Sequence, residues 1–201
     1  MKSFITALFT LAAFFAQAQY TTLTAGQTAP DFKLKNVNNK EISFAGFPKA
    51  KGYIVVFTCN TCPYAMAYEQ RIIDLNKKFA PLGYPVIAIN PNDPAASEAD
   101  SFEEMQKLAK KKKYAFPYLF DKGQIVTNVY GAMKTPHIFI VSNTAKGYVI
   151  EYTGAIDNDT EGIKATRTRY AEDVIASLMK NEKPAVTATK AIGCTVKRKK
   201  A

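Results

Sequence analysis

Apolar and polar positions divide this chain into runs of two kinds. The run Tyr53-Ile54-Val55-Val56-Phe57 is continuous, β-branched and aromatic, and follows Gly52. It predicts a central strand buried on both faces. Pro85-Val86-Ile87-Ala88-Ile89 repeats the pattern and predicts a second one. Between them Tyr64, Tyr68, Ile72, Leu75 and Phe79 recur at three- and four-residue spacing, which predicts a helix from Pro63 to Phe79. Another helix is expected from Glu98 to about Lys112, capped by Ser97, with Phe102, Met105, Leu108 and Ala109 facing inward. Phe116 to Phe120 reads as a short strand, Gln124 to Tyr130 as a short helix and His137 to Val141 as a strand. Asn143 to Gly147 reads as a hairpin turn into Tyr148–Tyr152, and Ile163 to Lys180 as a final helix. Ahead of these, Asp31 to Lys35 alternates as a strand, turns at Asn38-Asn39 and returns through Glu41 to Phe44.

The fold class expected is α/β, a central mixed sheet with helices on both faces. Strands alternating with helices force right-handed crossovers and a largely parallel sheet, to which the last hairpin adds an antiparallel edge. Residues 19–180 read as one domain. Residues 181–201 are polar, basic and interrupted by proline, and read as a tail. Lys110 to Lys113 is a solvated run at a helix C-terminus, where the dipole favours positive charge.

Composition narrows the function. Hydrophobic residues make up 47% of the 201, enough for a globular core and too many for a disordered chain. Lysine and arginine number 27 against 17 acidic residues, a formal charge of +10 that suits anionic partners. No aromatic–basic recognition motif accompanies the charge, so no nucleic-acid partner is expected. Lys2, the apolar run from Phe4 to Phe15, and Ala16-Gln17-Ala18 follow one another as in a secretory signal peptide cleaved after Ala18. With no cysteine at the cleavage point, a lipid anchor is not expected. No other apolar stretch is long enough to span a bilayer. The expected product is soluble, not membrane-spanning, and periplasmic or secreted, in a compartment where disulfides persist.

The chemistry falls at one junction. Cys59-Asn60-Thr61-Cys62 directly follows the first buried strand and opens the helix at Pro63. A thiol at a helix N-terminus faces unpaired N–H groups and the positive end of the dipole, which favour the thiolate. Cys59 is the expected nucleophile, the more exposed of the two, and Cys62, one turn in, the expected resolving thiol. Zinc is disfavoured, since beyond this pair the chain offers only Cys194 and His137.

The segment from Val56 to Tyr64, with Ala29-Pro30-Asp31-Phe32 before it and Thr135-Pro136-His137 after it, resembles the thioredoxin-fold group. Within that group it resembles redoxin-domain proteins of the alkyl-hydroperoxide-reductase and thiol-specific-antioxidant type. The likeness extends to their exported, peroxiredoxin-like branch, whose Gly-Cys-x-x-Lys tail is similar to Gly193-Cys194-Thr195-Val196-Lys197. It spans about Gly26 to Lys197. The resemblance implies a thioredoxin-like fold with one extra strand–helix unit between Pro85 and Lys113, and a thiol–disulfide oxidoreductase with possible peroxidase activity. It also implies that Pro136 is a cis-proline facing the redox centre and that the Thr135 backbone pairs with an incoming substrate. Substrates would be protein thiols and disulfides or small peroxides, served by an unidentified thiol reductant. No cofactor is expected.

Departures from the pattern are visible. Peroxiredoxins carry Pro-x-x-x-Thr-x-x-Cys. Aligning Cys62 with that thiol puts Cys59 and Val55 at the other positions, and aligning Cys59 puts Val56 and Gly52 there. Tyr53 stands where thioredoxin has a buried acid. Glu69 and Arg71 read as solvated helix charges. Cys194 is a possible third redox thiol or a structural one, with Ile192 and Val196 as anchors for the tail. His137 raises a rival of another class. Copper carriers of the cytochrome-oxidase assembly type use two cysteines and one histidine on this fold, here Cys59, Cys62 and His137. That family separates its cysteines by one more residue than this chain does.

Overall fold

The computed structural model describes residues 20–199, so the expected signal peptide lies outside the described residues. The chain runs through β1 (Leu34–Asn36), β2 (Glu41–Ile42), β3 (Gly52–Phe57), α1 (Pro63–Phe79), β4 (Val86–Asn90) and α2 (Phe102–Lys112). It continues through β5 (Tyr118–Phe120), α3 (Ile125–Tyr130), β6 (Lys134–Thr135), β7 (His137–Thr144), β8 (Gly147–Gly154), α4 (Tyr170–Met179) and β9 (Cys194–Thr195). Seven strands form one sheet in the order β2-β1-β5-β4-β3-β7-β8, and β6 pairs separately with β9.

All six residues of β3 are buried, and alternation sends them to opposite faces. Ile54 and Val56 join a core with Tyr68, Ile72, Leu75 and Phe79 of α1, Met105 and Ala109 of α2, and Val174 and Ile175 of α4. Tyr53, Val55 and Phe57 join the opposite core, with Phe32 and Phe44 from the N-terminal segment and Val126 and Tyr130 of α3. Helices therefore cover both faces, three on one and α3 on the other. Fully burying each such side chain contributes about 1.5–3 kcal/mol, and β3 contributes to both cores at once.

The sheet is less parallel than expected. Only β3–β4 and β4–β5 are parallel; β7 runs antiparallel against the whole of β3, from Gly52↔Ser142 to Phe57↔His137. The chain leaves α3 on the side where β3 ends and enters β7 there, so it runs back along β3 without a crossover. The right-handed β-α-β units are the two built by α1 and α2.

The starts of α2 and α4 differ from expectation. Ser101, not Ser97, caps α2, its Oγ accepting from the Glu104 N–H at 3.5 Å. Ser97 instead donates to Asp100 at 2.7 Å, and Glu98–Asp100 forms a separate 3-10 turn. On α2, Met105 and Ala109 are buried, while Phe102 and Leu108 are only half-buried. The helix expected from Ile163 starts at Tyr170. The Asp159 carboxylate accepts the Gly162, Ile163 and Lys164 N–H groups, and Asn158 Oδ1 accepts that of Thr168. Those side chains take the donors a helix would have used, and Ile163 is left 77% exposed.

The helix charges are not merely solvated. Arg71 Nη1 donates to both oxygens of the buried Asp157, at 2.9 and 3.0 Å. Glu69 accepts from the Tyr114 hydroxyl at 2.9 Å and pairs with Lys112. The basic run behaves as expected, with Lys110, Lys111 and Lys112 in the last turn of α2. Among the described residues no helix is long and apolar enough to cross a membrane.

The core assignment is testable by urea unfolding. Ile54→Ala should lower the unfolding free energy by about 2–5 kcal/mol, whereas exposed Lys110→Ala should stay within about 0.5 kcal/mol of wild type.

Candidate redox site

The site forms where β3 hands the chain to α1. The Thr58 N–H still donates to the Ile89 carbonyl at 2.9 Å, and the backbone then turns through Cys59, Asn60 and Thr61. Cys62 is the N-cap of α1 and Pro63 the first helical residue. Proline suits that place because its fixed φ is helical and its missing N–H has no partner to lose. The residue at the helix N-terminus is therefore Cys62, with Cys59 three positions before it.

The disulfide is not the expected one. Cys62 is bonded to Cys194 across 132 residues, with Cα atoms 6.0 Å apart, and Cys59 is the free thiol. Cys194 arrives on β9, which pairs antiparallel with β6 in the register Thr135↔Cys194 and Lys134↔Thr195. Thr135–Pro136 is a cis peptide, as the resemblance implied. Cys59, Cys62 and Ala65 form one small buried cluster with Cys194 packed against it, and the Cys62 sulfur lies 3.1 Å from the Thr135 carbonyl oxygen. Cys59, Cys62, Thr135, Pro136 and Cys194 thus meet at one place. Of the two expected tail anchors Val196 is buried, but Ile192 is 39% exposed.

The expected reactivity of Cys59 is also corrected. It is 6% exposed against 3% for Cys62, so neither is open to solvent. Burial pushes the Cys59 thiol up from its ordinary value, and the Asp100 carboxylate adds to that. The Thr135 hydroxyl, 3.3 Å from the sulfur, and the Cys62 and Thr61 N–H groups oppose the rise without cancelling it. Cys59 is consequently a sheltered thiol that gives up its proton less readily than a free one while Cys62 is bonded to Cys194.

Asp100 was not singled out by sequence pattern, yet it organises this junction. It is fully buried. One oxygen accepts the Asn60 N–H at 2.7 Å, and the other accepts the Asn92 amide at 2.8 Å and the Ser97 hydroxyl at 2.7 Å. Asn60 also accepts from the Tyr118 hydroxyl at 2.8 Å. Asp100 reaches the site from forty residues downstream along the chain, so no local spacing announces it. Tyr53, where an acid was noted as missing, donates to the Phe44 carbonyl on the opposite core.

His137 does not complete a metal site with the cysteines. The Met133 N–H donates to Nδ1 at 3.4 Å, which leaves the proton on Nε2, 3.0 Å from Thr153 Oγ1. Both ring nitrogens are engaged, and the Cys62 sulfur is engaged by Cys194. Among the described residues no three His, Cys, Asp or Glu side chains are grouped to hold a metal ion.

Burial lowers the His137 imidazole to about 4 from an ordinary 6.5. The folded-state value is the depressed one, so the unfolded chain binds the proton first as pH falls. Stability is full above the unfolded value and is lost on the way down to about 4. Between about pH 7 and pH 5 this group should cost roughly 2 kcal/mol. Urea unfolding of wild type and His137→Gln at those two pH values should show the fall in the former and its absence in the latter.

Comparison with known proteins agrees with this geometry. Over 129 residues the chain is 26% identical to the thiol-disulfide oxidoreductase ResA of Geobacillus thermodenitrificans, covering 63% of this chain and 68% of that protein. A hypothetical protein of Sinorhizobium meliloti 1021 superposes with a TM-score of 0.82 at 27% identity, covering 92% of this chain and all of that one. Peroxidoxin BcpB of Mycobacterium tuberculosis shares the thioredoxin-like fold, with a TM-score of 0.54 at 16% identity over 65% of this chain and 84% of its own. The AhpC/TSA family pattern matches residues 25–158, more than half of the chain and every site residue except Cys194, and the chain belongs to that family.

Proposed function

We propose that this protein is an exported thiol–disulfide oxidoreductase in which Cys62 makes and breaks the bond to substrate. The observation that carries this reading is the Cys62–Cys194 disulfide at the N-terminus of α1, beside the free Cys59 and the cis-proline. Export rests on the charged start, apolar run and cleavage pattern of the first eighteen residues. Periplasmic or secreted placement follows from it.

The chemistry is one two-electron exchange. In the reduced protein the Cys62 sulfur attacks a substrate disulfide, an S–S bond forms between them, and the other substrate sulfur leaves and takes up a proton. The positive end of α1 stabilises negative charge on Cys62 before attack and again when it is displaced. Cys194 or Cys59 then displaces the second substrate thiol from Cys62. The product with Cys194 is the arrangement seen here, and a dithiol reductant restores both thiols. Family membership favours a second substrate class, small peroxides. There, Cys62 takes one oxygen to become a sulfenic acid and releases an alcohol or water. Cys194 then forms the disulfide and expels a further water.

The roles thus exchange relative to the sequence-based expectation. Cys62, at the N-cap, is the proposed nucleophile, and Cys59 is a reserve thiol whose proton burial and Asp100 make harder to remove. Cys62→Ser should abolish reduction of insulin or of a dithiol-specific dye. Cys194→Ser should slow turnover about tenfold while leaving the first attack intact. A Cys62→Ser protein that still reduces insulin at the wild-type rate contradicts the reading. Peroxide consumption by the same variants decides between the two substrate classes.

Cys59 itself gives a pH test. In oxidised protein, alkylation of this thiol against pH should show a midpoint above the free-thiol value of about 8.5. Asp100→Asn removes the carboxylate charge that raises it, so the midpoint should move down.

A further inference from the structure

We propose that Asn92 and Gln124 are positioning residues for the step in which Cys194 closes onto Cys62. Each holds the main chain of Lys197, three residues past Cys194, and together they keep the tail thiol at the N-terminus of α1. This rests on the Cys62–Cys194 exchange put forward as the function.

Closure needs holding because the two cysteines are 132 residues apart in sequence. A thiol on a loosely tethered tail meets its partner at a low effective concentration, and fixing its orientation speeds an intramolecular step. On the near side of Cys194 the tail is tied to Thr153, which donates to the Thr187 carbonyl at 3.2 Å and accepts the Thr189 N–H at 3.0 Å. On the far side the ties are at Val196, whose N–H donates to the Met133 carbonyl at 3.1 Å, and at Lys197. Lys197 is the better held, with three hydrogen bonds on its one N–H and one carbonyl.

The clamp is built from the body of the domain. The Lys197 N–H donates to Asn92 Oδ1 at 2.9 Å, and its carbonyl accepts from Gln124 Nε2 and from the Asp93 N–H, both at 3.0 Å. Asn92 and Asp93 follow β4, and Gln124 is the N-cap of α3. Asn92 and Gln124 are 1% and 7% exposed. The Asn92 amide is fixed in one orientation, because its nitrogen donates to Asp100 at 2.8 Å and its oxygen is thereby turned to the tail. With the tail away, that buried oxygen loses its Lys197 partner, a cost that favours the docked tail. Asp100 also accepts the Asn60 N–H, so one carboxylate fixes both the clamp and the loop that carries Cys59.

Gln124 carries a second, independent sign. Its backbone is left-handed, at φ 59° and ψ 29°, where glycine would sit with less strain. A side chain is present nevertheless, and its amide bridges the Pro91 carbonyl at 2.5 Å and the Lys197 carbonyl. The strained position thus carries a group that joins the domain to the tail, as strain at functional positions commonly does. In the closing step the Cys194 thiolate attacks the Cys62 sulfur, the new S–S bond forms, and the thiolate previously bonded to Cys62 leaves and takes up a proton. Asn92 and Gln124 act on Lys197 rather than on these atoms. They raise the fraction of time in which Cys194 stands within reach.

The test uses the full-length chain with Cys59→Ser, reduced and mixed in stopped flow with one equivalent of the symmetric disulfide of thionitrobenzoate. One coloured thionitrobenzoate leaves when a protein thiol takes the reagent. A second leaves when the other thiol displaces it to form Cys62–Cys194, and this second release is the closing step. Lys197→Pro deletes the N–H that Asn92 accepts and leaves the domain interior untouched. Its second release should be about tenfold slower than that of Lys197→Ala, which lacks the same charge but keeps the N–H. Gln124→Met, which keeps the length and loses the amide, should slow it likewise. The attack by Cys62, timed in the same variants carrying Cys194→Ser, should keep one rate throughout. Equilibration with glutathione should show the Cys62–Cys194 potential of Lys197→Pro less negative by about 30 mV, the equivalent of that tenfold loss. Equal second release in Lys197→Pro and Lys197→Ala overturns the clamp and leaves the proposed function standing. Slowing that appears equally in the Cys62 attack places the effect on Cys62 and also overturns the clamp. No second release in any of these proteins overturns the Cys62–Cys194 exchange and the clamp with it.

Discussion

The bond between Cys62 and Cys194 joins the N-terminus of α1 to a strand formed near the end of the chain. Much of the site follows from that one link. It places β9 against β6 and packs Cys194 against the buried cluster of Cys59, Cys62 and Ala65. A closed loop of this length, 132 residues in sequence separation, also restricts the unfolded chain, an effect worth about 4–5 kcal/mol in the entropic account of cross-links. The same bond therefore contributes to stability and is the one that turnover must break. In the entropic account, reduction should release that contribution.

Two close backbone approaches make the link geometrically possible. Gly193 passes the Thr135 carbonyl where a Cβ would be 2.3 Å away. Gly154, at φ 145°, passes Thr189, whose oxygens would lie 2.3 and 2.5 Å from a Cβ there. Thr189 in turn accepts from the Ala155 N–H at 3.0 Å, and the Thr153 N–H donates to the Thr187 carbonyl. The tail is thus guided along β8 to the cis-proline by backbone contacts and by the absence of two side chains. Its charge plays a smaller part: Lys197 reaches Ser97, and Arg198 bonds Asn128 and lies over the Tyr20 ring.

How much of this could be read from sequence depended on whether the cause was local. Val86–Asn90 and Gly52–Phe57 follow their apolar runs, and α1 begins at Pro63 and ends at Phe79 as its periodicity required. These are elements whose own residues decide their structure. The final helix was read too long because Asp157, Asn158 and Asp159 compete for backbone donors, a preference that periodicity does not register. The site divides in the same way. Pro136 is cis as the resemblance implied, and Cys59, Cys62 and Thr135 meet beside it. The cysteine pairing was not readable, since it depends on where a tail docks after the domain has formed. Asp100 was missed because its partners Asn60 and Asn92 come to it through the sheet. The assumption that Cys59 is exposed and acidic failed because the thiol is buried in a small cluster with Cys62 and Ala65 and faces the Asp100 carboxylate, partners brought in by the fold.

The central claim is the pairing itself, and disulfide mapping tests it directly. Oxidised full-length protein is treated with iodoacetamide under denaturing, non-reducing conditions, digested with trypsin and fragmented in a mass spectrometer. Cys59 and Cys62 fall on one tryptic peptide, residues 52–71, and Cys194 on another, residues 191–197. The account predicts these two peptides covalently joined, with the alkyl group on Cys59 and the link at Cys62. A single peptide 52–71 carrying an internal Cys59–Cys62 bond, with alkylated Cys194 recovered separately, would contradict it.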